Sequence, residues 1–259
     1  MSAVPLYDAF AADYDRFVNW PERLAFELPF FRTLLARRGA RRVLDVAGGT
    51  GQHAIALAAE GFEVTLADLS AEMVAHARAN AAEAGVSLRA VQAGFGGLAG
   101  AVGTSPEARF DAVLCLGNSL PHALTPYALD RAVADMAAVL ASSGVIVIQN
   151  RNFDRVLARG ERFMPPQEHR AGDEEWLFIR FYDAEEDLLR FNVVRLHRAR
   201  GEAWAARVDE TLLHPWRRDD LVASLERAGL KRIETLGSYR GEPFDPQESG
   251  DLILVAEAP

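Results

Sequence analysis

The feature that most constrains the fold of this chain is an apolar run, residues 43–46, that leads directly into a glycine-rich segment, residues 47–51. Glycine lets a ligand approach the backbone closely, and the helix that follows such a turn presents unpaired amide groups. Asp68 ends a second apolar run, where a carboxylate can accept hydrogen bonds from the hydroxyls of a ribose. The pattern therefore predicts an α/β fold that binds a nucleoside.

Two nucleoside cofactors compete for this pattern. Residues 49–54 match the dinucleotide signature G-x-G-x-x-[GA], and a tight turn that binds no ligand would also contain glycines. Asp45 separates the alternatives, because a carboxylate before the turn would repel a pyrophosphate and attract a free ammonium. S-adenosylmethionine carries that ammonium and no phosphate. The sequence favours this cofactor over a nicotinamide dinucleotide.

The glycine-rich segment resembles motif I, D/E-x-G-x-G-x-G, of the class I S-adenosylmethionine-dependent methyltransferases. The matching residues are Asp45, Ala47, Gly49 and Gly51, with alanine in place of the first glycine. The resemblance implies a Rossmann-like fold with a mostly parallel seven-stranded sheet. It also implies S-adenosylmethionine as the cofactor.

The remaining pattern predicts one domain, residues 1–259, with an insertion. We expect a helical entry and lid segment at 1–40, divided by Pro21 and Pro29, and a cofactor-binding core at 41–150. Period-two runs at 176–182, 188–197 and 203–213 predict an antiparallel β-meander, inserted at 151–215 as a substrate lid. Residues 216–259 complete the core. Within it we expect strands at 42–46, 63–67, 87–92, 110–116, 145–149, 231–236 and 251–255, helices at 52–60, 70–84, 127–140 and 219–228, and a loop at 94–106.

Composition and charge limit the classes of molecule that this protein is expected to bind. The formal charge of -9 argues against nucleic acid, which is bound by clustered Lys and Arg, and favours a small-molecule substrate. No apolar run approaches the roughly 20 residues that span a bilayer, so we expect a cytoplasmic protein without membrane contact. The single cysteine, Cys115, excludes an intrachain disulfide, and the histidine spacing indicates no metal site. The oligomeric state stays open, with a homo-oligomer as one outcome.

Three further runs, residues 60–65, 116–122 and 149–154, resemble segments of glycine N-methyltransferase and the glycine/sarcosine N-methyltransferases. This similarity covers about residues 7–160. It implies that Arg151 binds the substrate carboxylate and that Asn118 lines the methyl-transfer pocket near the substrate amine. The alternative for Arg151 is an ion pair with Asp154 or with an acid of the meander.

Residues 7–15 resemble the entry segment Y-D-x-x-A-x-x-Y-D of many small-molecule methyltransferases. The resemblance implies that Tyr14 closes over the sulfonium of the cofactor, whose charge an aromatic face attracts. It also implies an arginine for the cofactor carboxylate, with Arg23 as first choice and Arg16 and Arg32 as rivals. An amphipathic helix that only packs is the alternative interpretation.

The motif and the resemblances together predict a cofactor site. We expect Asp68 to accept hydrogen bonds from the ribose hydroxyls. We expect Leu69 to lie against adenine, together with the backbone of Gly94 and the ring of Phe95. His122 is a substrate-binding candidate that would act as a general base or form a structural hydrogen bond. The full cofactor set is Tyr14, Arg23, Asp45, Ala47, Gly48, Gly49, Gly51, Asp68, Leu69, Gly94, Phe95 and Leu116, and the catalytic set is Asn118, Arg151 and Tyr14.

The sequence thus predicts an S-adenosylmethionine-dependent N-methyltransferase that acts on a small amine carrying a carboxylate. Glycine, sarcosine and dimethylglycine are the first candidates. Methylation of another small metabolite, such as an amino sugar or a hydroxylated natural product, is the alternative enzyme. A non-catalytic module that binds the cofactor, or a nicotinamide-dependent oxidoreductase, is the alternative outside this class.

Overall fold

The computed structural model describes residues 5–258, and a seven-stranded sheet forms its centre. The strands of that sheet alternate with helices, and four more strands lie between its fifth and sixth members. The strands are β1 (Arg42–Val46), β2 (Glu63–Asp68), β3 (Arg89–Gln92), β4 (Phe110–Cys115), β5 (Leu140–Arg151), β6 (Gln167–Ala171), β7 (Glu174–Glu185), β8 (Leu188–Ala199), β9 (Ala205–Leu213), β10 (Lys231–Leu236) and β11 (Asp251–Glu257).

The order of the central sheet is β10-β11-β5-β4-β1-β2-β3. Strands β1 to β5 are parallel, whereas β11 runs antiparallel to both of its neighbours. Val46 is level with Ala67 on one side and with Cys115 on the other, so three strands end at one edge. Ligands of open α/β sheets bind beyond such carboxyl ends. The mostly parallel seven-stranded sheet is confirmed.

Helices cover both faces of this sheet, because the central strands carry buried apolar residues on both faces and these need cover. α2, α3 and α4 pack on one face, and α5, α6 and α8 pack on the other. The helices are α1 (Pro5–Phe17), α2 (Trp20–Arg38), α3 (Gln52–Ala59), α4 (Ala71–Glu83), α5 (Leu98–Val102), α6 (Pro126–Ala138), α7 (Phe153–Arg159) and α8 (Arg218–Arg227). No helix among these residues is long and apolar enough to cross a membrane.

The second sheet is an antiparallel meander with the order β6-β7-β8-β9. It has four strands where the sequence predicts three, since β6 is an edge strand of mostly polar residues without apolar alternation. Helix α1 packs against the meander, and Phe10 meets Phe178 with ring centroids 5.9 Å apart. The entry helix and the meander therefore share one apolar cluster.

Three other local predictions are wrong. Helix α2 continues through Pro29, because Leu28, Phe31 and Leu35 bury one stripe across the proline, which outweighs its cost of about 3 kcal/mol. Helix α5 lies within the predicted loop 94–106, since Asp135 of α6 caps its first amides. Helix α7 follows β5, where no element is expected.

Candidate functional site

A cavity of about 730 Å³ lies beyond the carboxyl ends of β1, β2 and β4, and we call it the sheet-edge cavity. The core supplies its floor, α1 and the start of α2 cover it, and β9 reaches its rim. The residues that were predicted from sequence and that line it are Tyr14, Arg23, Asp45, Ala47, Gly48, Gly49, Asp68, Leu69, Gly94, Phe95, Leu116 and His122.

Asp45 is the buried anion of this cavity. Only 2% of the residue is exposed, and its Oδ2 atom has no hydrogen-bond partner. Burial raises the pKa of this carboxyl to about 6. The nearby His53 has the largest opposing electrostatic effect on this pKa. A Cβ at Gly48 would lie 2.9 Å from Asp45 Oδ2 and 2.7 Å from Leu66, so only glycine fits beside the carboxylate. A cationic group of a ligand would complete this arrangement.

Asp68 anchors the glycine-rich turn. Its Oδ2 accepts from the amide of Gly49 at 2.9 Å, and its Oδ1 accepts from the amide of Ser70 at 2.8 Å. Burial raises the pKa of Asp68 as well. Ala47 adopts φ 55, the left-handed conformation that glycine would adopt without strain. The carboxylate thus stands at the tip of β2 beside the turn, as predicted.

Of the three candidate arginines, Arg23 lines the cavity, whereas Arg16 and Arg32 do not. The Nε of Arg23 donates to Glu27 at 2.9 Å, and Glu27 also contacts His53 Nε2 at 2.5 Å. Arg16 pairs instead with Asp13, and Arg32 with Glu60. The buried Glu27 therefore fixes the Arg23 side chain from behind, and sequence reasoning missed this support because the three residues lie on two helices.

The entry helix presents two tyrosines to the cavity. Tyr14 lies near Gly49, where an added Cβ would be 3.8 Å from its ring. Tyr7 forms a hydrogen bond of 2.7 Å with Nε2 of His122, whose pKa burial lowers to about 4. His122 is therefore neutral at ordinary pH, and the same burial raises the pKa of the Tyr7 hydroxyl. Tyr7 belongs to the entry motif, but no role was predicted for it.

Asn118 and Arg151 lie together beside the cavity and do not line it. The side-chain oxygen of Asn118, a residue with φ 66, accepts from the backbone amide of Arg151 at 3.0 Å. The Arg151 guanidinium donates to Glu161 at 3.1 Å and lies 5.7 Å from the ring centre of Tyr182. Its acid partner is thus Glu161, in the segment after α7, rather than Asp154.

Other predicted and unpredicted residues complete the description. Gly51 caps α3 with φ 85 and allows close packing, since an added Cβ would lie 3.0 Å from Ala77, and it does not line the cavity. Trp20 also lines the cavity, and its indole N–H donates to Asp15. Glu210, Thr211 and Leu212 of β9 contribute to the rim. The sequence pattern of one strand does not indicate that the strand borders a cavity formed by another sheet.

Comparison with known proteins assigns the chain to a family. A model described as a methyltransferase domain matches residues 43–144. A glycine/sarcosine N-methyltransferase from Aphanothece halophytica is 31% identical over 250 residues, which are 96% of this chain and 88% of that protein. The chain belongs to the family of the glycine/sarcosine N-methyltransferases.

Other family members match over a shorter region. A glycine/sarcosine N-methyltransferase from Parasynechococcus marenigrum (strain WH8102) is 42% identical over 151 residues, 58% of this chain. The match covers 52% of that protein, and a match with the glycine/sarcosine N-methyltransferase from Halorhodospira halochloris covers 56% of its length, so the chain spans about half the length of these curated relatives. Among solved structures, the sugar N-methyltransferase KedS8 from Streptoalloteichus sp ATCC 53650 has a TM-score of 0.71 and 25% identity, with 97% of this chain and 92% of that chain covered.

Family membership confirms the predicted class I methyltransferase fold and S-adenosylmethionine as the cofactor. The residues of the cavity fit this molecule. The unpartnered carboxylate oxygen of Asp45 suits its ammonium, and the space that Gly48 leaves suits close approach of a ligand to the backbone. A carboxylate at the strand end would disfavour a pyrophosphate, which counts against the dinucleotide alternative.

Proposed function

We propose that this protein is an S-adenosylmethionine-dependent N-methyltransferase that acts on a small amine carrying a carboxylate. Glycine, sarcosine and dimethylglycine are the first substrates to test. One observation carries the proposal: the relative from Aphanothece halophytica, named for glycine and sarcosine, matches 96% of the chain, including the meander. A reacting enzyme is thereby favoured over a non-catalytic module that only binds the cofactor.

The sheet-edge cavity would hold the cofactor, which supplies a methyl group on a positively charged sulfur. In the proposed arrangement Asp45 pairs with the cofactor ammonium, Arg23 with its carboxylate, and Asp68 with the ribose hydroxyls. The ring of Tyr14 covers the sulfonium. The remaining predicted contacts would surround the adenine and the methionine chain: Ala47, Gly48, Gly49, Gly51, Leu69, Gly94, Phe95 and Leu116.

The proposed acceptor site lies on the other side of the transferred methyl group. Arg151 would bind the substrate carboxylate, and the side chain of Asn118 would orient the amine. His122 is a neutral acceptor or donor beside Tyr7, within the cavity lining. Alignment of amine, methyl and sulfur supplies most of the catalysis in such a displacement, so no strong base is required.

The first experiment identifies the acceptor. The protein is incubated with methyl-labelled S-adenosylmethionine and glycine, sarcosine, dimethylglycine, other amino acids and amino sugars, and labelled products are followed by mass spectrometry. We expect label on an amino acid. Cofactor binding without label on any carboxylate-bearing amine would contradict the proposal.

The substitution Arg151→Ala tests the carboxylate site. We expect KM for the amino acid to rise about tenfold to hundredfold, the range for a hydrogen bond to a charged group, while cofactor affinity stays unchanged. Arg155→Ala is the matched control, because Arg155 pairs with the same Glu161 at 2.9 Å and has no proposed substrate contact. Equal KM values for both variants would assign Arg151 a structural role.

One observation favours a second candidate. The fold match with KedS8, a sugar N-methyltransferase, extends over 97% of this chain. Methylation of an amino sugar would leave the guanidinium of Arg151 as a structural group paired with Glu161. Label on an amino sugar, together with unchanged activity of Arg151→Ala, would establish this alternative.

A further inference from the structure

Arg180 of β7 is a cation without an acid partner. Within residues 5–258, no carboxylate lies at ion-pair distance from its guanidinium, and its buried Nε has no hydrogen-bond partner. Its guanidinium instead lies over the ring of Phe17, 4.6 Å from the centre. Arg195, a buried arginine of the neighbouring strand, is by contrast paired with both Asp13 and Asp209.

Arg180 lies near both Tyr14 and Tyr182. The ring of Phe17 under its guanidinium is 6.0 Å from the ring of Tyr14 between centroids, and Tyr182 follows two residues later in β7, on the same side of the strand. Tyr14 lines the sheet-edge cavity, and the guanidinium of Arg151 lies over the ring of Tyr182. The buried Nε of Arg151 also has no hydrogen-bond partner. Two arginines with unused donors thus lie near each other on the meander side of Tyr14.

This arrangement has an excess of positive charge. Glu161 accepts from both Arg151 and Arg155, and Arg180 adds a third guanidinium. The other nearby acid is Asp251, which lies opposite Arg151 across β5 and β11, so three guanidinium groups face two carboxylates. Burial is the main reason why the pKa of Arg180 falls to about 10, and the nearby charge of Arg151 lowers it further. A buried charge that no protein group balances is costly, and a bound anion would balance it.

We propose that Arg180 is a second ligand of the substrate carboxylate, and that Arg180 and Arg151 form a two-guanidinium subsite beside Tyr14. This inference rests on the proposed function. In a glycine-type substrate a single carbon separates the amine from the carboxylate, so the anion site must lie close to the transferred methyl group. Because Arg180 belongs to the meander, the inserted sheet selects for a carboxylate rather than only covering the site.

The kinetic test compares Arg180→Gln with a control, Arg198→Gln. Arg198 lies on the same meander but pairs with Glu175 at 2.6 Å and stacks on Trp204. We expect Arg180→Gln to raise KM for sarcosine about tenfold to hundredfold and to lower the preference for sarcosine over its amide by a similar factor. Affinity for S-adenosylhomocysteine stays within about twofold, and Arg198→Gln leaves all three quantities unchanged.

The stability test needs no turnover. With S-adenosylhomocysteine bound, acetate is titrated into the wild type and Arg180→Gln, with chloride at matched ionic strength as reference. We expect acetate to raise the melting temperature of the wild type only. Without ligand, Arg180→Gln should be at least as stable as the wild type, because a cation without an acid partner costs free energy when buried.

The outcomes separate this inference from the proposed function. If the wild type methylates no carboxylate-bearing amine, the proposed function fails, and a missing acetate effect would overturn the anion subsite as well. If the wild type is active but Arg180→Gln keeps its KM and its preference for sarcosine over the amide, only the role of Arg180 is overturned. A ligand-free Arg180→Gln that melts well below Arg198→Gln would also overturn it, since the guanidinium would then be structural.

Discussion

At the scale of single residues, Asp45 lowers the stability of the folded protein at neutral pH, although its carboxylate favours binding of the cofactor. Burial raises the pKa of its carboxyl to about 6, above the unfolded value of 3.8. The folded protein therefore holds a proton more tightly than the unfolded chain. Its contribution to stability is full below about pH 4 and is lost as the pH rises through 6, by about 3 kcal/mol in total.

The substitution Asp45→Asn should raise the stability of the ligand-free protein and weaken cofactor binding. Without cofactor, we expect a higher melting temperature than the wild type at pH 7 to 8, because the ionised carboxylate is no longer buried. Wild-type affinity for S-adenosylhomocysteine should rise between pH 5 and 7, since the ligand ammonium favours the ionised acid. The variant should lose about tenfold or more in affinity at pH 7.5 and lack this pH dependence.

Calorimetric titration across this pH range provides the measurement, with Asp219→Asn as the control. Asp219 is an exposed acid that pairs with its neighbour Arg218. The same rise in affinity with pH in Asp45→Asn would show that another group is responsible.

Most of the cofactor-site residues that the sequence predicts do line the cavity, because strand ends and glycine turns fix their position locally. The sequence ranked Arg23 first but left Arg16 and Arg32 open, since the choice depends on which side of α2 faces Glu27 and the cavity. No role in carboxylate binding was predicted for Arg180. Its distinguishing property is the missing acid partner, and that property arises only when β7, α1 and the end of β5 come together.

At the scale of elements, α1 covers the cavity through Leu6, Tyr7 and Tyr14. It forms polar contacts with the core: Asp15 accepts from Thr50 Oγ1 at 2.5 Å and from Asn80 at 2.9 Å. Exposed and polar attachments open more readily than buried apolar ones. A ligand beneath the helix would add contacts to it and so hold it closed.

We therefore expect S-adenosylhomocysteine to slow tryptic cleavage within residues 1–40, at Arg16 for example, relative to cleavage elsewhere. The turn at Arg200 serves as an internal reference, since its side chain is 84% exposed and lies far along the chain in the meander. Cleavage products are quantified by mass spectrometry with and without ligand. Equal rates within residues 1–40 in both conditions would contradict a covering role for α1.

Helices and strands could be predicted where a local sequence pattern, such as apolar periodicity or a capping residue, marks them. Strands β1, β2 and β4 and helices α4 and α6 follow apolar periods and side-chain caps, such as Ser70 on the amide of Met73. Helix α7 had a readable signal that was overlooked, namely Asn152 capping Arg155 and Gly160 in the left-handed conformation at its end. Helix α5 had none, because Asp135 caps it from another element.

At the scale of the whole molecule, the entry helix and the meander are joined by a buried ion pair. Arg195 of β8 contacts Asp13 of α1 at 2.8 Å and Asp209 of β9 at 2.5 Å, with 7% of its side chain exposed. The guanidinium also lies 5.1 Å from the ring centre of Phe10. We propose that this connection makes the chain one cooperative domain rather than a core and an independent lid.

Removing the arginine should therefore affect the whole molecule. We expect Arg195→Met to lower the free energy of unfolding by about 3 kcal/mol, because two acids lose their partner in a mostly buried place. Arg207→Met is the matched control, since Arg207 contacts the same Asp209 at 3.3 Å but is 58% exposed, and its loss should cost less than about 1 kcal/mol.

Differential scanning calorimetry should show one transition for the wild type and both variants, with the van't Hoff and calorimetric enthalpies in agreement. If Arg195→Met instead splits the unfolding into two transitions, the meander and α1 fold separately from the core, and the proposed single domain is wrong.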